Sequence, residues 1–297
     1  MIYSCTLFYN EFDLLGVKLR EEKKGGVDKV VVVEASRTHQ NQPKPLRLKG
    51  AGSEIVVYGE VGPEFDKVTH RDARIAALQR EAIQRNAALD LIDLKDDDIV
   101  ISADVDEIFP AEDIPEIAEA AERFGFVHLV QQNFHYKINL FSPTPWYCPF
   151  AVMGKVLRAG MTLNRLRTLE SYKIQTNGKH FSFIMTPDQI AEKFKAYSHT
   201  EFNAPEYTDP RRIKDCIDNN KDICERERMK YLIPVQIDDT YPEDMRKDKR
   251  WAPFIIKKGL VPISSIPVPE VPLHPMPNVE EDFYEEVNNL PIWRQHV

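Results

Sequence analysis

Ile99-Val100-Ile101-Ser102-Ala103-Asp104-Val105-Asp106-Glu107 is the stretch that decides the fold. Its first five residues have the pattern of a buried strand, and the strand ends directly in carboxylates. Side chains alternate along a strand, so Asp104 and Asp106 project to the same side, and a turn at the strand end can aim both at one cation. A divalent ion held by such oxygens can bridge to a diphosphate and neutralise charge as a leaving group departs; magnesium and manganese both suit these ligands. An Asp-x-Asp triplet alone is weak evidence, since short acidic runs are usually solvated turns, and Asp96-Asp97-Asp98 just upstream is read as one. The position after a buried strand is what gives Asp104 and Asp106 weight. Glu107 is read as stabilising the following turn or orienting a basic residue.

Working outward, residues 2–9 form an apolar run that ends at Asn10-Glu11, as an initial buried strand should. Phe12, Leu15, Leu19 and Glu22 then recur near helical spacing until Gly25-Gly26 stops the segment. Val30-Val31-Val32-Val33 predicts a central strand covered on both faces, ending at Glu34. Residues 37–45 read as a loop and 55–58 as a third strand. Residues 71–94 read as a long helix with Ile75, Leu78, Ala82, Leu89 and Ile92 on its apolar side. Strands alternating with helices predict an α/β sheet with crossover connections, and ligands of such sheets lie beyond the carboxyl ends of the strands. Asn10, Glu34 and Asp104 all hold that kind of position, so three separate segments are expected to converge on one crevice.

Downstream, residues 126–136 and 151–157 are strand candidates separated by the loop Ser142-Pro143-Thr144-Pro145-Trp146-Tyr147. Thr186-Pro187-Asp188 reads as a helix start, with the helix running to about Ala196. The expected organisation is one catalytic domain over 1–261, with a donor-nucleotide and metal half at 1–123 and an acceptor-side half at 124–261. Residues 262–297 read as a proline-rich extension packed on that domain, extended over 262–277 and with a short helix over 278–290.

Of the 297 residues, 42% are hydrophobic and 29% charged, as in a folded globular protein rather than a disordered one. The 47 acidic residues outnumber the 39 basic ones, for a formal charge of -8, which argues against a nucleic-acid partner but leaves room for a local phosphate site. The opening residues lack the basic segment and long apolar run of a secretion signal, and no stretch is long and apolar enough for a stable membrane span; a cytoplasmic location is expected. Four scattered cysteines without CxxC spacing argue against a disulfide framework or a structural zinc site.

Several other segments carry polar groups suited to a sugar or a diphosphate. Ser36-Arg37-Thr38 follows a strand terminus, where its groups can bond a nucleotide, a sugar or simply their own loop. Arg71, Arg74, Arg80 and Arg85 are cationic candidates for a diphosphate, and ion pairs on a helix surface account for most of them equally well. In Gly178-Lys179-His180-Phe181-Ser182-Phe183, His180 and Ser182 alternate with aromatics, so a strand here has a polar face backed by phenylalanines. Tyr197-Ser198-His199-Thr200-Glu201-Phe202 adds a histidine and a carboxylate. Glu201 and Asp188 are the carboxylates available as a general base, with His180 and His199 as orienting groups. Trp146 and Tyr147 suit either a saccharide platform or the core, and Trp251 reads as structural.

Taken as blocks, the chain resembles family 17 of the glycosyltransferases. The resemblance runs through Phe8-Tyr9-Asn10-Glu11-Phe12-Asp13-Leu14-Leu15, Val32-Val33-Glu34-Ala35-Ser36-Arg37-Thr38 and Pro43-Lys44-Pro45-Leu46, then Arg80-Glu81 with Gln84-Arg85. It continues through Asp104-Val105-Asp106-Glu107-Ile108, Gly178-Lys179-His180-Phe181-Ser182 and Lys193-Phe194-Lys195-Ala196-Tyr197-Ser198-His199-Thr200-Glu201-Phe202. The family's animal members include the enzyme that adds the bisecting N-acetylglucosamine to the core mannose of N-glycans. The resemblance implies a GT-A type nucleotide-diphospho-sugar transferase fold, α/β with a mostly parallel central sheet and flanking helices. It also implies an inverting transferase that uses Mn2+ or Mg2+ and a UDP-sugar, with UDP-N-acetylglucosamine favoured. The partners it implies are that nucleotide-sugar donor and an oligosaccharide, polysaccharide or glycoconjugate acceptor. The resemblance implies that Asp104 approaches the donor sugar or ribose, that Asp106 coordinates the metal, that Glu34 and Arg37 recognise the donor nucleotide, and that the His180 and His199 segments close over donor phosphate and acceptor. With the readings from position and residue chemistry, Asn10, Glu34, Arg37, Arg80, Arg85 and Asp104 are the expected donor contacts, Asp104 and Asp106 the expected metal ligands, and Glu201, Asp188, His180 and His199 the expected catalytic groups. Lys179 departs from the family pattern, which has tryptophan there. Two other classes stay open at this point: a nucleotidyltransferase or phosphosugar hydrolase using the same acidic strand end, and a noncatalytic glycan-binding protein that retains the fold.

Overall fold

The computed structural model describes residues 1–50, 52–226 and 231–267. The strands β1 (Ile2–Phe8), β2 (Lys29–Ala35), β3 (Val56–Val61) and β4 (Ile99–Ser102) lie parallel in the order β4-β1-β2-β3. The helix α1 (Phe12–Lys24) crosses from β1 to β2, and α2 (Ala73–Asn86) lies between β3 and β4. The valines of β2 are fully buried and divide by parity: Val30 and Val32 enter one core cluster with Leu14, Leu15 and Val17 of α1, while Val31 and Val33 enter the other. Both faces of the strand are therefore covered, as the unbroken apolar run required.

The second half extends the same sheet. Next come the short β5 (Glu107–Ile108) and the helix α3 (Asp113–Phe124), then β6 (Phe126–His135), β7 (Leu140–Trp146) and β8 (Phe150–Met153). β8 joins the halves by pairing antiparallel with β4 and with β6. Two short helices follow, α4 (Gly154–Arg158) and α5 (Leu163–Leu166), and then β9 (Tyr172–Ser182), which runs parallel to β6 and antiparallel to β5. The helices α6 (Pro187–Phe194), α7 (Pro205–Thr208) and α8 (Pro210–Asp218) follow, and α6 and α8 contribute Ile190, Phe194 and Ile213 to a third apolar cluster. β10 (Ile233–Pro234) adds an edge beside β7, and α9 (Glu243–Lys247) follows. No helix among the described residues is long and apolar enough to cross a membrane.

Three local expectations change. The helix expected over 71–94 ends at Asn86, with a separate 3-10 turn at Leu89–Leu91. Asp72 caps its start by accepting from the backbone N–H groups of Arg74 and Ile75. The buried face of α2 is largely polar: Arg80, Gln84 and Arg85 point inward, while Ile75 and Leu78 are 42% and 40% exposed. Apolar spacing failed here because strand-end carbonyls and carboxylates await the inward side chains. The strand expected over 151–157 stops at Met153, because the backbone N–H of Gly154 turns to the carbonyl of Asp98 and that of Lys155 to Asp96. Much of the supposed loop 142–147 belongs to β7; Pro143 and Pro145 fit because, among the described residues, β10 pairs with Leu140 and Phe141 and asks neither proline for a ladder hydrogen bond. The helix start at Thr186 forms as expected, with a reciprocal capping box between Thr186 and Gln189. The extended segment over 262–277 is described only to residue 267, and the helix expected over 278–290 lies outside the described residues.

Candidate active site

β1, β2 and β4 deliver their carboxyl ends to one side of the sheet, where β6 and β9 supply a floor. There the chain encloses a cavity of about 640 Å³ whose wall includes Tyr9, Thr38, Asp104, Asp106, His180 and Lys193. Gln40 ties the loop after β2 to the chain after α6: its amide donates to the backbone carbonyls of Phe194 and Tyr197 and exchanges hydrogen bonds with Asn203.

The acidic turn after β4 is held on every side. The backbone N–H of Glu107 donates to the carbonyl of Asp104, and the Glu107 carboxylate accepts the N–H of Asp104 in return at 2.5 Å. Glu107 is fully buried and also accepts from Trp146 Nε1 at 2.6 Å and Arg167 Nη2 at 2.7 Å. Lys18, buried against Glu22 on α1, donates to the Glu107 carbonyl, and Phe181 N–H donates to the Asp106 carbonyl. Glu107 thus orients a basic residue and stabilises the turn, as its position suggested.

Asp104 and Asp106 share the turn but differ in charge environment. Burial works against ionisation of Asp104, but Arg167 at 2.8 Å and Arg85 at 2.6 Å outweigh it and hold the carboxyl well below its usual range. Burial likewise disfavours ionisation of Asp106. Lys193, 3.7 Å away, opposes that only in part, and Asp104, Glu107 and Glu11 add to it, so the carboxyl is pushed up to about 7. Lys193 has a closer partner in Glu11 at 2.9 Å. Asp106 is therefore the acid at this strand end whose negative charge lacks a full counter-charge.

The other expected site residues divide by position. His180 lines the cavity, stacks on Trp146 with ring centroids 4.2 Å apart, and places Nε2 3.9 Å from Asp106. His199 and Glu201 lie on the cavity wall and bond each other at 2.9 Å. Arg37 lines the wall beside Asp66, and Arg85 lies behind Asp104 and bonds it. Glu34, by contrast, is fully buried and turned from the cavity: it binds Lys44, Tyr58 and the N–H groups of Arg47 and Leu48, and so fastens the loop after β2. Arg80 donates to the carbonyl of His39 and supports the loop from below. Asn10 gives its backbone N–H to Glu11 and is not part of the cavity wall. Asp188 is exposed in the first turn of α6, also off that wall.

Sequence reasoning passed over several groups that the fold brings in. Arg167 follows α5 in a segment with no motif around it. Glu11 adjoins Asn10 at the end of β1, so strand-end position was a usable signal for it. Lys193 was visible only inside a longer block. Asn133 and His135 alternate along β6, a pattern that singles them out once β6 is known to face the cavity. Trp251 is a core residue, 2% exposed. Lys179 is buried too, spanning to the carbonyl and hydroxyl of Thr240 and lying over the Tyr241 ring. Tyr147 is 43% exposed.

Solved structures with a similar layout include TarS 1-349 from S. aureus in complex with UDP, at 11% identity over 65% of this chain and 63% of that one, with a TM-score of 0.39. In another TarS 1-349 structure, at 12% identity and a TM-score of 0.34, the match takes in 53% of this chain and only about half of that one, 48%. Rv0371c from Mycobacterium tuberculosis H37Rv matches at 11% identity over 57% of this chain and 77% of its own, with a TM-score of 0.33. None of these likenesses carries a ligand or an activity over to this chain. No curated protein matches it. The model of Glycosyltransferase family 17, however, matches residues 1–234, which include every element of the cavity described above, and the chain accordingly belongs to glycosyltransferase family 17.

Proposed function

We propose that this glycosyltransferase moves N-acetylglucosamine from UDP-N-acetylglucosamine to a hydroxyl of a carbohydrate acceptor, with inversion and with Mn2+ or Mg2+ beside Asp106. The observation that carries the reading is the contrast within the acidic turn: Asp104 is neutralised by Arg85 and Arg167, while Asp106 faces the cavity incompletely compensated.

The donor set fits a metal that arrives with its substrate better than a resident caged ion. Among the described residues no group of three or more His, Cys, Asp or Glu side chains is placed to hold one. Asp106 Oδ1 and His180 Nε2, 3.9 Å apart, would supply the protein donors, and diphosphate oxygens and water the rest. When bound, the ion would neutralise charge on the departing diphosphate. With both oxygens engaged by guanidinium groups, Asp104 keeps lone pairs to accept a hydroxyl of the donor's ribose or sugar and is a poorer metal ligand than Asp106. Lys193 adds positive charge next to the diphosphate position, and Arg37 and Thr38 lie on the wall where the nucleotide would enter. Glu201, oriented by His199, is the wall carboxylate we assign to take the proton from the acceptor hydroxyl.

Calorimetric titration of UDP-N-acetylglucosamine, UDP-glucose and UDP-galactose, with manganese and then with chelator, tests this reading. Manganese-dependent binding that favours UDP-N-acetylglucosamine is expected, with its loss in Asp106→Asn while the protein stays folded. Unchanged binding in that variant would remove the proposed metal role.

A further inference from the structure

The parallel pair β6–β9 ends in a polar floor that the account of the diphosphate site leaves partly unexplained. Its register sets Asn133 beside His180 and His135 beside Ser182, and all four side chains belong to the cavity wall. Each is at least nine-tenths buried, with exposures of 2%, 7%, 2% and 9% in that order. Asn133 and His180 satisfy each other, Oδ1 to Nδ1 at 3.1 Å. His135 does not share in this: among the described residues neither of its ring nitrogens has a hydrogen-bond partner. A histidine kept for packing or stability would have its buried nitrogens paired, because leaving them unpaired costs free energy.

The backbone also holds His135 in place at some expense. β6 stops at His135 because Tyr136 takes φ +64°, and β9 stops after Ser182 because Phe183 takes φ +57°, a left-handed conformation unfavourable to aromatic residues. Tyr136 is locked there by bonds from its hydroxyl to Asp222 and from the Ile223 N–H to that hydroxyl. With neither ring nitrogen paired, the His135 imidazole has one donor and one acceptor to offer, which complements a hydroxyl or an amide.

Its place along the floor points to the sugar. His180 is 3.9 Å from Asp106, and the His135 ring centroid is 6.4 Å from that of His180. With a diphosphate at Asp106, the pyranose joined to it reaches the floor next to the acidic turn. Building on the donor-site reading above, we infer that His135 seats a polar substituent of the transferred sugar ring, through one donated and one accepted hydrogen bond, and so helps select the donor sugar.

The test compares the affinities of UDP and UDP-N-acetylglucosamine, with manganese, in the wild type, His135→Leu and His135→Gln, and follows thermal unfolding of each without ligand. Loss of the pair of bonds should weaken UDP-N-acetylglucosamine by about tenfold in His135→Leu and leave UDP unchanged. His135→Gln, which can still donate and accept, should recover part of the difference. The melting temperature of His135→Leu should equal or exceed that of the wild type, since no hydrogen bond among the described residues is lost and an unpaired polar group is removed. A sugar increment that survives in His135→Leu, or that the wild type never shows, overturns the inference. So does a marked drop in melting temperature or failure to fold in that variant, which would make His135 a structural residue. A folded wild type that binds no UDP at all removes the donor-site reading itself, and the inference with it.

Discussion

Arg167 offers the sharpest test of how the acidic turn is built. Its guanidinium donates at 2.8 Å to Asp104, at 2.7 Å to one oxygen of Glu107 and at 3.2 Å to the other. The side chain is 12% exposed and the Glu107 carboxylate not at all, so water cannot replace the bonds to Glu107. In Arg167→Leu, among the described residues, Glu107 keeps only Trp146 and the Asp104 N–H, and the Asp104 carboxylate keeps only Arg85. Removing one partner of a buried ion pair typically costs about 3–5 kcal/mol, chiefly because the remaining charge is left without compensation. For a chain of this size that corresponds to a fall of about 5–8 °C in melting temperature. The mechanism also predicts coupling. If the cost comes from the stranded Glu107 charge, then neutralising it first should shrink it, and in the background of Glu107→Gln the Arg167→Leu change should cost at least about 2 kcal/mol less. The assay is urea unfolding of the wild type, both single variants and the double variant, with UDP titration to follow the turn's geometry. A fall of under about 2 °C in Arg167→Leu, or additive energies in the cycle, would refute the account of the turn as a charge-balanced cluster.

Two further expectations concern stability away from the cavity. Burial pushes the His128 imidazole down to about 4, whereas an unfolded histidine titrates near 6.5, so the unfolded chain takes up the proton first. Its contribution is therefore intact above about pH 6.5 and lost as the pH falls towards 4, at up to about 1.4 kcal/mol per pH unit and about 3 kcal/mol in all. His128→Asn should flatten the plot of unfolding free energy against pH between 6 and 4.5, and parallel plots for variant and wild type would rule this out. Gly154→Ala should destabilise by about 2–3 kcal/mol, because its Cβ would lie 1.8 Å from the Lys95 carbonyl oxygen, a backbone atom that cannot swing aside. A urea midpoint within error of the wild type would show that this junction between β8 and α4 yields more easily than the packing indicates.

What the sequence alone determined is what depends on near neighbours in the chain. The valines of β2, the apolar run of β4 and the stops at Gly25-Gly26 identified strands, a helix and their order, because burial on one or both faces imposes a period of two, of 3.6, or none. A strand in a parallel sheet has a defined carboxyl end, so the position of Asp104 and Asp106 at the mouth of the cavity was legible as well. The family blocks located His180, His199 and Glu201 on its wall. Where a residue's partner is remote, the reading failed or fell silent. Glu34 has the same strand-end position as Asp104 yet is spent on the loop at 44–48, and Asp188 looks like a usable base but sits on the outer turn of α6. The inward face of α2 is polar because its targets come from β2 and from the turn after β4, which no spacing within the helix reveals. Arg167 meets Asp104 across 63 residues, and Lys193 meets Glu11 across 182. Only tertiary packing brings such charges together, and with them it decides which of two aspartates two positions apart on the cavity wall is neutralised and which is left incompletely compensated.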